Sequence, residues 1–177
     1  MTVIGLVGSP RKGGNTDILV DAVLEGARSN DHQASKVYLQ GQNIGTCIDC
    51  RGCKKEPFQC IVDDEMQALY GLLDSADVIV FGTPVYWYGP TAQMKALVDR
   101  LRPYFGNRRL DGKRAVVVAP AGDGPGDADL LVEFFRRVCT TLKMEFAGVV
   151  LGTAYDRGEI LADREAMEAA STVGASL

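Results

Sequence analysis

An α/β domain built on a doubly wound parallel sheet is the fold that these 177 residues predict. Short apolar runs alternate with amphipathic stretches along the chain, which is the pattern of βαβ units. Five such runs are present, and right-handed crossovers between them wind helices onto both faces of one sheet. No repeat, low-complexity segment or linker interrupts the pattern. Residues 1–177 are therefore read as a single domain, with a cysteine-rich insertion at 44–63.

Thr2 to Val7 is the first strand, followed by a turn from Gly8 to Asn15 and a helix from Thr16 to Ser29. In that helix Ile18, Leu19, Ala22, Val23 and Ala27 recur at helical spacing and face the sheet. Ser35 to Leu39 is a second strand, shorter and more polar, as an edge strand is. Gln40 to Cys60 is irregular. A helix from Asp64 to Ser75 leads into the third strand, Val78 to Phe81. The loop Gly82 to Gly89 and a helix from Thr91 to Leu101 come next. The fourth strand is Lys113 to Ala119, its loop Pro120 to Gly126, and the following helix Asp127 to Leu142. Glu145 to Leu151 is the fifth strand. From Glu159 the tail reads as helical, then as frayed over Ser171 to Leu177. Two strand orders satisfy this sequence of elements. In both, a ligand lies at the switch point beyond the strand carboxyl ends, served by the loops after strands one, three and four.

Charge and hydropathy exclude several classes of partner. Lys plus Arg number 19 against 23 Asp plus Glu, a net charge of −4 that leaves no electrostatic footprint for nucleic acid. Lys54-Lys55 and Arg108-Arg109 are too short to alter that. The longest apolar runs, Ala76 to Phe81 and Ala115 to Ala121, are of strand length and argue against a membrane partner. No basic leader precedes the first strand, so a cytoplasmic location is expected.

The first loop, Gly8-Ser9-Pro10-Arg11-Lys12-Gly13-Gly14-Asn15-Thr16, runs from a strand into a helix N-terminus. Orphan backbone N–H groups and the helix dipole make that position an anion site. Ser9, Asn15 and Thr16 add donors, and Arg11 adds a charge for a phosphate. Neither the nucleotide P-loop pattern nor the dinucleotide fingerprint is present. The plainer alternative is that Asn15 or Thr16 merely caps the helix.

The second loop, Gly82-Thr83-Pro84-Val85-Tyr86-Trp87-Tyr88-Gly89-Pro90, sets three adjacent aromatics between glycines and prolines. Rings at the mouth of an α/β sheet suit stacking on a planar ligand. One of them packing over the next helix is the competing structural role. The third loop, Ala121-Gly122-Asp123-Gly124-Pro125-Gly126, is small enough for backbone to approach a ligand edge.

Four of the five cysteines, Cys47, Cys50, Cys53 and Cys60, fall within fourteen residues. That crowding makes a poor disulfide framework and a good metal framework. Thiolates at two-residue intervals wrap one face of a cubane cluster, with a fourth ligand from further on. Structural zinc more often takes two separated pairs. A redox disulfide of Cys47 with Cys50, or of Cys50 with Cys53, is a further option. Cys139 lies in an amphipathic helix and reads as a small core residue, and His32, the sole histidine, as a solvated loop residue. Asp63 and Asp64 read as helix caps.

Taken together, Gly8-Ser9-Pro10-Arg11 with Gly14-Asn15-Thr16, then Gly82 to Trp87 with Lys95 and Asp99-Arg100, resemble the NAD(P)H-dependent FMN reductase family. The likeness runs from Thr2 to about Leu101 and more loosely to Leu151. It implies a flavodoxin-like fold with strand order 2-1-3-4-5. It also implies that Ser9, Arg11, Asn15 and Thr16 hold the FMN phosphate. Pro84, Val85, Tyr86 and Trp87 then contact the ribityl chain and ring, with Gly89, Gly122 and Gly124 at the edge of the cofactor site. The cysteine array followed by Asp63-Asp64-Glu65-Met66 is similar to the iron–sulfur flavoproteins of that family, which implies Cys47, Cys50, Cys53 and Cys60 as ligands of a [4Fe–4S] cluster near the FMN of a neighbouring subunit. Asp99-Arg100 is expected to serve structure or subunit contact.

The function expected from these residues is that of an FMN-dependent oxidoreductase or electron-transfer flavoprotein, the cluster exchanging electrons with FMN. A reductase of FMN, quinones or nitro compounds using NAD(P)H as co-substrate without a cluster is the first alternative. A non-catalytic FMN electron carrier is the second. The resemblance further implies a homodimer or homotetramer, with ferredoxin or a small acceptor such as a quinone as partner.

Overall fold

The computed structural model describes all 177 residues. Its five parallel strands are β1 (Thr2–Val7), β2 (Gln33–Tyr38), β3 (Val78–Gly82), β4 (Arg114–Ala121) and β5 (Glu145–Thr153), in the order β2-β1-β3-β4-β5. The helices are α1 (Asn15–Arg28), α2 (Met66–Ser75), α3 (Ala92–Asp99), the single turn α4 (Tyr104–Asn107), α5 (Asp129–Leu142) and α6 (Arg164–Ala175). This is the flavodoxin-like arrangement.

Strands covered on both faces must be apolar at nearly every position. Accordingly β3 is buried throughout, and β1 and β4 are buried at all but their first residue. The edge strands β2 and β5 are partly exposed. Successive side chains feed two separate cores. Ile4, Leu6, Ile79, Phe81 and Val117 pack under α2, α3 and α5, while Val3, Val7, Val78, Val80 and Val116 pack under α1 and α6. Cys139 is buried in the first core, as its helical position suggested.

Several boundaries depart from the sequence reading for identifiable reasons. β4 continues through Pro120 to Ala121, and β5 to Thr153. β3 has ended by then, so the missing N–H of Pro120 costs no ladder bond, while its carbonyl accepts from Val85 N at 3.2 Å. Asp127 belongs to a 3-10 turn, Pro125–Ala128, and α5 starts at Asp129. The tail does not fray at Ser171; α6 holds to Ala175. Its small residues face α1 so closely that a Cβ on Gly174 would meet the Val23 carbonyl oxygen at 2.0 Å. His32 is not a free loop residue either: its Nε2 lies 2.9 Å from the Leu177 carbonyl, tying the tail to the turn before β2. No helix is long and apolar enough to cross a membrane.

The segment 44–63 has no regular structure beyond the 3-10 turn Gly52–Lys54. It is fastened to the body by Arg100, which follows α3. The guanidinium pairs with both oxygens of Asp64 (2.7 and 3.0 Å) and donates to the carbonyls of Gly45 (2.9 Å) and Val62 (3.4 Å). Asp64 also accepts from Met66 N, at the first residue of α2, at 3.1 Å, although the N-cap position itself is Glu65, and it carries a buried ion pair besides. The Arg100 guanidinium holds its carboxyl below the ordinary carboxylate range.

Candidate functional site

A cleft of about 440 Å³ opens beyond the carboxyl ends of the strands. Four loops meet there, and each is held by contacts that its sequence dictates.

In the first loop, Gly8 N donates to Gly82 O at 2.7 Å, which joins the ends of β1 and β3. No side chain caps α1, and its backbone ladder begins only with Ile18 N to Gly14 O at 3.0 Å. The N–H groups of the first turn thus stay unspent at an electropositive helix end. Ser9 is buried, its Oγ accepting from Arg11 N at 3.2 Å. The Arg11 side chain is exposed, with a single 3.5 Å contact to the Tyr155 carbonyl. Thr16 is buried beside it.

Asn15 is spent differently. Its amide donates to Asp156 O (2.8 Å) and accepts from Gly158 N (2.8 Å) and Ile160 N (3.4 Å), binding the loop after β5 to the first loop. Asp17, a residue the sequence did not single out, shapes the loop from below. It accepts from Gly13 N (2.7 Å), Tyr38 Oη (2.8 Å) and Lys36 Nζ (2.5 Å). Burial alone pushes that carboxyl up, but the bonds from Lys36, Gly13 and Tyr38 outweigh it and hold the carboxyl below its ordinary value.

The second loop is a tight hairpin. Tyr86 and Gly89 exchange both backbone bonds, at 2.9 and 3.1 Å, around a tip formed by Trp87 and Tyr88. Both tip residues are left-handed, with φ of 49° and 62°. That is the geometry in which a two-residue turn prefers Asn-Gly. Trp87 stands 96% exposed, so packing does not explain its presence there. Thr91 ties this loop to the first: its hydroxyl donates to Gly8 O at 2.7 Å and caps α3 at Met94 N.

Ser9, Arg11, Asn15, Thr16, Pro84, Val85, Tyr86, Trp87 and Gly122 all line the one cleft. Gly89 and Gly124 do not. Gly89 closes the hairpin, and Gly124, at φ 106°, starts the 3-10 turn before α5. Tyr88 and Asp123, which the sequence placed in the second and third loops without a role of their own, also line the cleft, and the sequence reading missed the loop after β5, where Ala154 and Tyr155 form a further wall. A Cβ on Gly122 would meet the Tyr155 ring at 3.0 Å, so the ring lies against the third loop's backbone. The signal was available: Tyr155 is an aromatic residue just past a strand's carboxyl end.

A second pocket, about 180 Å³, is lined by Cys47, Cys50, Cys53 and Cys60 together with Arg51, Lys54, Arg100 and Arg102. All five cysteines are unpaired in this structure. Burial raises the Cys53 thiol. No three Cys, His, Asp or Glu side chains converge on one point as the ligands of a single ion do. A cubane places its thiolates on four separate irons, and for it the test is a shared pocket with compensating charge. The donor set meets that test: four thiols and four neighbouring cations, one of them the buried Arg100, whose Nε has no partner.

The sequence profile of the NADPH-dependent FMN reductase family matches residues 1–153. Among curated proteins, the chain is 29% identical to an iron–sulfur flavoprotein of Archaeoglobus fulgidus, over 100% of this chain and 79% of that protein. It is 32% identical to a Bacillus subtilis protein provisionally named an NAD(P)H-dependent FMN-containing oxidoreductase, over 97% of this chain and 95% of the other. The solved structure of a Trp repressor binding protein from Bacillus subtilis superposes with a TM-score of 0.72 at 27% identity, covering 97% of this chain and 96% of that one.

Proposed function

The chain belongs to the NADPH-dependent FMN reductase family, and on that premise we propose that this oxidoreductase binds FMN in the four-loop cleft and a [4Fe–4S] cluster among its cysteines. The flavin assignment rests on one observation: an uncapped helix N-terminus faces the same cleft as three hairpin aromatics. Bound in that cleft, FMN would supply the chemistry of hydride acceptance from a reduced nicotinamide, and a cluster held by the cysteines would supply single-electron transfer.

The chain's own part is binding and orientation. Ser9, Arg11 and Thr16 receive the phosphate, with the first-turn N–H groups of α1. Asn15, also expected there, contributes by holding the 155–160 loop closed over the site. Pro84, Val85, Tyr86 and Trp87 contact the ribityl chain and ring. Gly89 fixes the hairpin that presents them. Gly122 backs the Tyr155 ring, and Gly124 starts the 3-10 turn that leads to α5. Cys47, Cys50, Cys53 and Cys60 ligate the cluster, and the surrounding cations offset its negative charge.

In this reading the chain is one cytoplasmic domain, 1–177, acting as a homodimer or homotetramer. Its electrons go to ferredoxin or to a small acceptor such as a quinone, without nucleic acid or membrane. A second reading, an NAD(P)H-dependent reductase with no cluster, is favoured by the likeness to the Bacillus oxidoreductase.

The test is an ultraviolet–visible spectrum of anaerobically purified protein with iron and sulfide measured on the same sample. Flavin bands with a shoulder that bleaches under dithionite, and iron matching sulfide, support the first reading. Flavin without iron selects the second. Failure to bind FMN on reconstitution overturns both.

A further inference from the structure

Of the large hydrophobic residues, the two that stand furthest out of the fold are Trp87, at 96% exposure, and Tyr155, at 78%, and both line the same cleft. Single exposed aromatics are ordinary, but two at the mouth of one cleft point to a ligand. Tyr155 is also held far more firmly than an exposed loop residue needs to be. Every main-chain N–H from residue 153 to 156 has a partner. Thr153 donates to the Asp163 carboxylate (2.8 Å), Ala154 to the Ala121 carbonyl (2.9 Å), and Tyr155 and Asp156 to one oxygen of Glu159 (2.6 and 2.8 Å). The Asp156 carbonyl accepts from the Asn15 amide at 2.8 Å, and Arg157 donates to the Lys12 carbonyl at 2.5 Å, so the segment is pegged to the first loop twice. Backbone fixed on both sides of an exposed ring presents that ring in one place before any ligand arrives.

Gly122 supplies the space. A Cβ there would stand 3.0 Å from Cδ2 of the Tyr155 ring, yet Gly122 is not among the left-handed glycines, so it is the ring and not the backbone that requires a missing side chain. Strand spacing relates the two aromatics. Trp87 follows β3 and Tyr155 follows β5, with β4 between them. The roots of their loops are thus about 10 Å apart, at about 4.8 Å per strand. A planar ring contacted from two sides, at centroid separations of about 4.5–7 Å, fits that span.

We infer that Tyr155 is a ligand-contacting residue, its ring meeting a planar ring system in the cleft from the β5 side, opposite the hairpin, and that Glu159 is its positioning residue. The inference rests on the flavin reading above and adds a second aromatic contact to it. It concerns the ring system alone, so a ligand with or without a phosphate feels it equally.

The experiment is a titration of the full chain, stripped of flavin, with FMN and separately with riboflavin, followed by Trp87 emission. Tyr155→Ala should weaken both flavins by the same factor, about tenfold, the usual worth of one ring stacked on a planar ligand. Tyr155→Phe keeps the ring and should bind both as the wild type does. Unchanged affinity in Tyr155→Ala overturns the inference. So does a loss confined to FMN, which puts the effect at the phosphate end. Glu159→Ala is expected to weaken both flavins several-fold in the wild-type background and neither in the Tyr155→Ala background. Equal losses in the two backgrounds overturn the positioning role, since a merely structural contact is indifferent to the ring. Wild-type protein that binds neither flavin removes the flavin reading and this inference together, before any variant is compared. Wild-type flavin binding with an unaffected Tyr155→Ala removes this inference alone.

Discussion

Trp87 and Tyr88 occupy the two left-handed positions of a turn that asparagine and glycine fill at far lower strain. Such backbone costs about 1–2 kcal/mol per residue, and an exposed Trp87 recovers none of it by burial. Strain at a ligand-facing tip is the signature of a functional constraint. The double change Trp87→Asn with Tyr88→Gly should therefore raise the melting temperature of the apoprotein while weakening FMN binding at least tenfold. A fall in both, or a gain in both, contradicts the assignment. Trp87 is the only tryptophan, so in the wild type its emission is itself the binding signal, quenched as FMN is titrated in. Ser9 is tested from the opposite side. Ser9→Glu puts a carboxylate at the uncapped end of α1, where the phosphate is assigned, and should abolish FMN retention; wild-type flavin content in that variant removes the phosphate assignment. Asp17 makes the third case. Its folded carboxyl lies below the unfolded value of about 3.9. Its stabilisation is therefore complete above that pH and lost as pH falls through the folded pKa. Asp17→Asn should cost about 2 kcal/mol at neutral pH, because Lys36 keeps Asp21 as a partner. The variant should also show a shallower loss of stability below about pH 4 than the wild type in urea titrations across pH.

At the scale of elements, the first and second loops form one unit, and Thr91 is what makes them so. Its hydroxyl is shared between the Gly8 carbonyl and the first turn of α3, both buried. Thr91→Ala loses a helix cap and leaves the Gly8 oxygen unmet, about 1–2 kcal/mol by chemical denaturation. FMN affinity should fall with it, because β1's loop is no longer held against β3's. Thr91→Ser should restore both, and a stability loss with unchanged FMN affinity would separate cap from cradle. These elements were legible in the sequence because each is specified locally. Strand runs, the glycine-rich turn and the aromatic loop each carry their pattern within about ten residues. What was not legible depends on partners far along the chain. Asn15 looked like a phosphate donor, yet its amide is engaged 141 and more residues away at Asp156 and Gly158. Tyr155 lines the cleft only because β5 lies beside β4 and brings its loop to Gly122. Asp64 read as a cap, and its larger task, the ion pair with Arg100, is set by tertiary packing.

For the whole molecule, both faces of the sheet must be covered before any loop is in place, and α6 was the covering element least visible in the sequence. Ser171, Gly174 and Ala175 look like a fraying tail because small residues carry little hydrophobic signal. Their smallness is the means by which α6 lies directly on α1: Gly26 faces Gly174 with Cα 3.0 Å from where its Cβ would stand, and the Val23 carbonyl is closer still to Gly174. The core beneath, with Val20, Val23 and Leu24 from α1 and Ala166 and Ala170 from α6, fixes the tilt of α1. Because the N-terminus of α1 is the anion end of the cleft, that tilt also sets where a phosphate is received. Gly174→Leu inserts a side chain where backbone already sits. It should destabilise the protein by about 1–3 kcal/mol, the usual range for overpacking. A matched pair of titrations, FMN and riboflavin, then separates two consequences. If displacement of α1 reaches the cleft, FMN affinity falls more than riboflavin affinity, since only FMN carries the phosphate. Equal losses would mean that α6 supports the fold without governing the position of the helix end, and the coupling drawn between the α1–α6 contact and the cleft would fail.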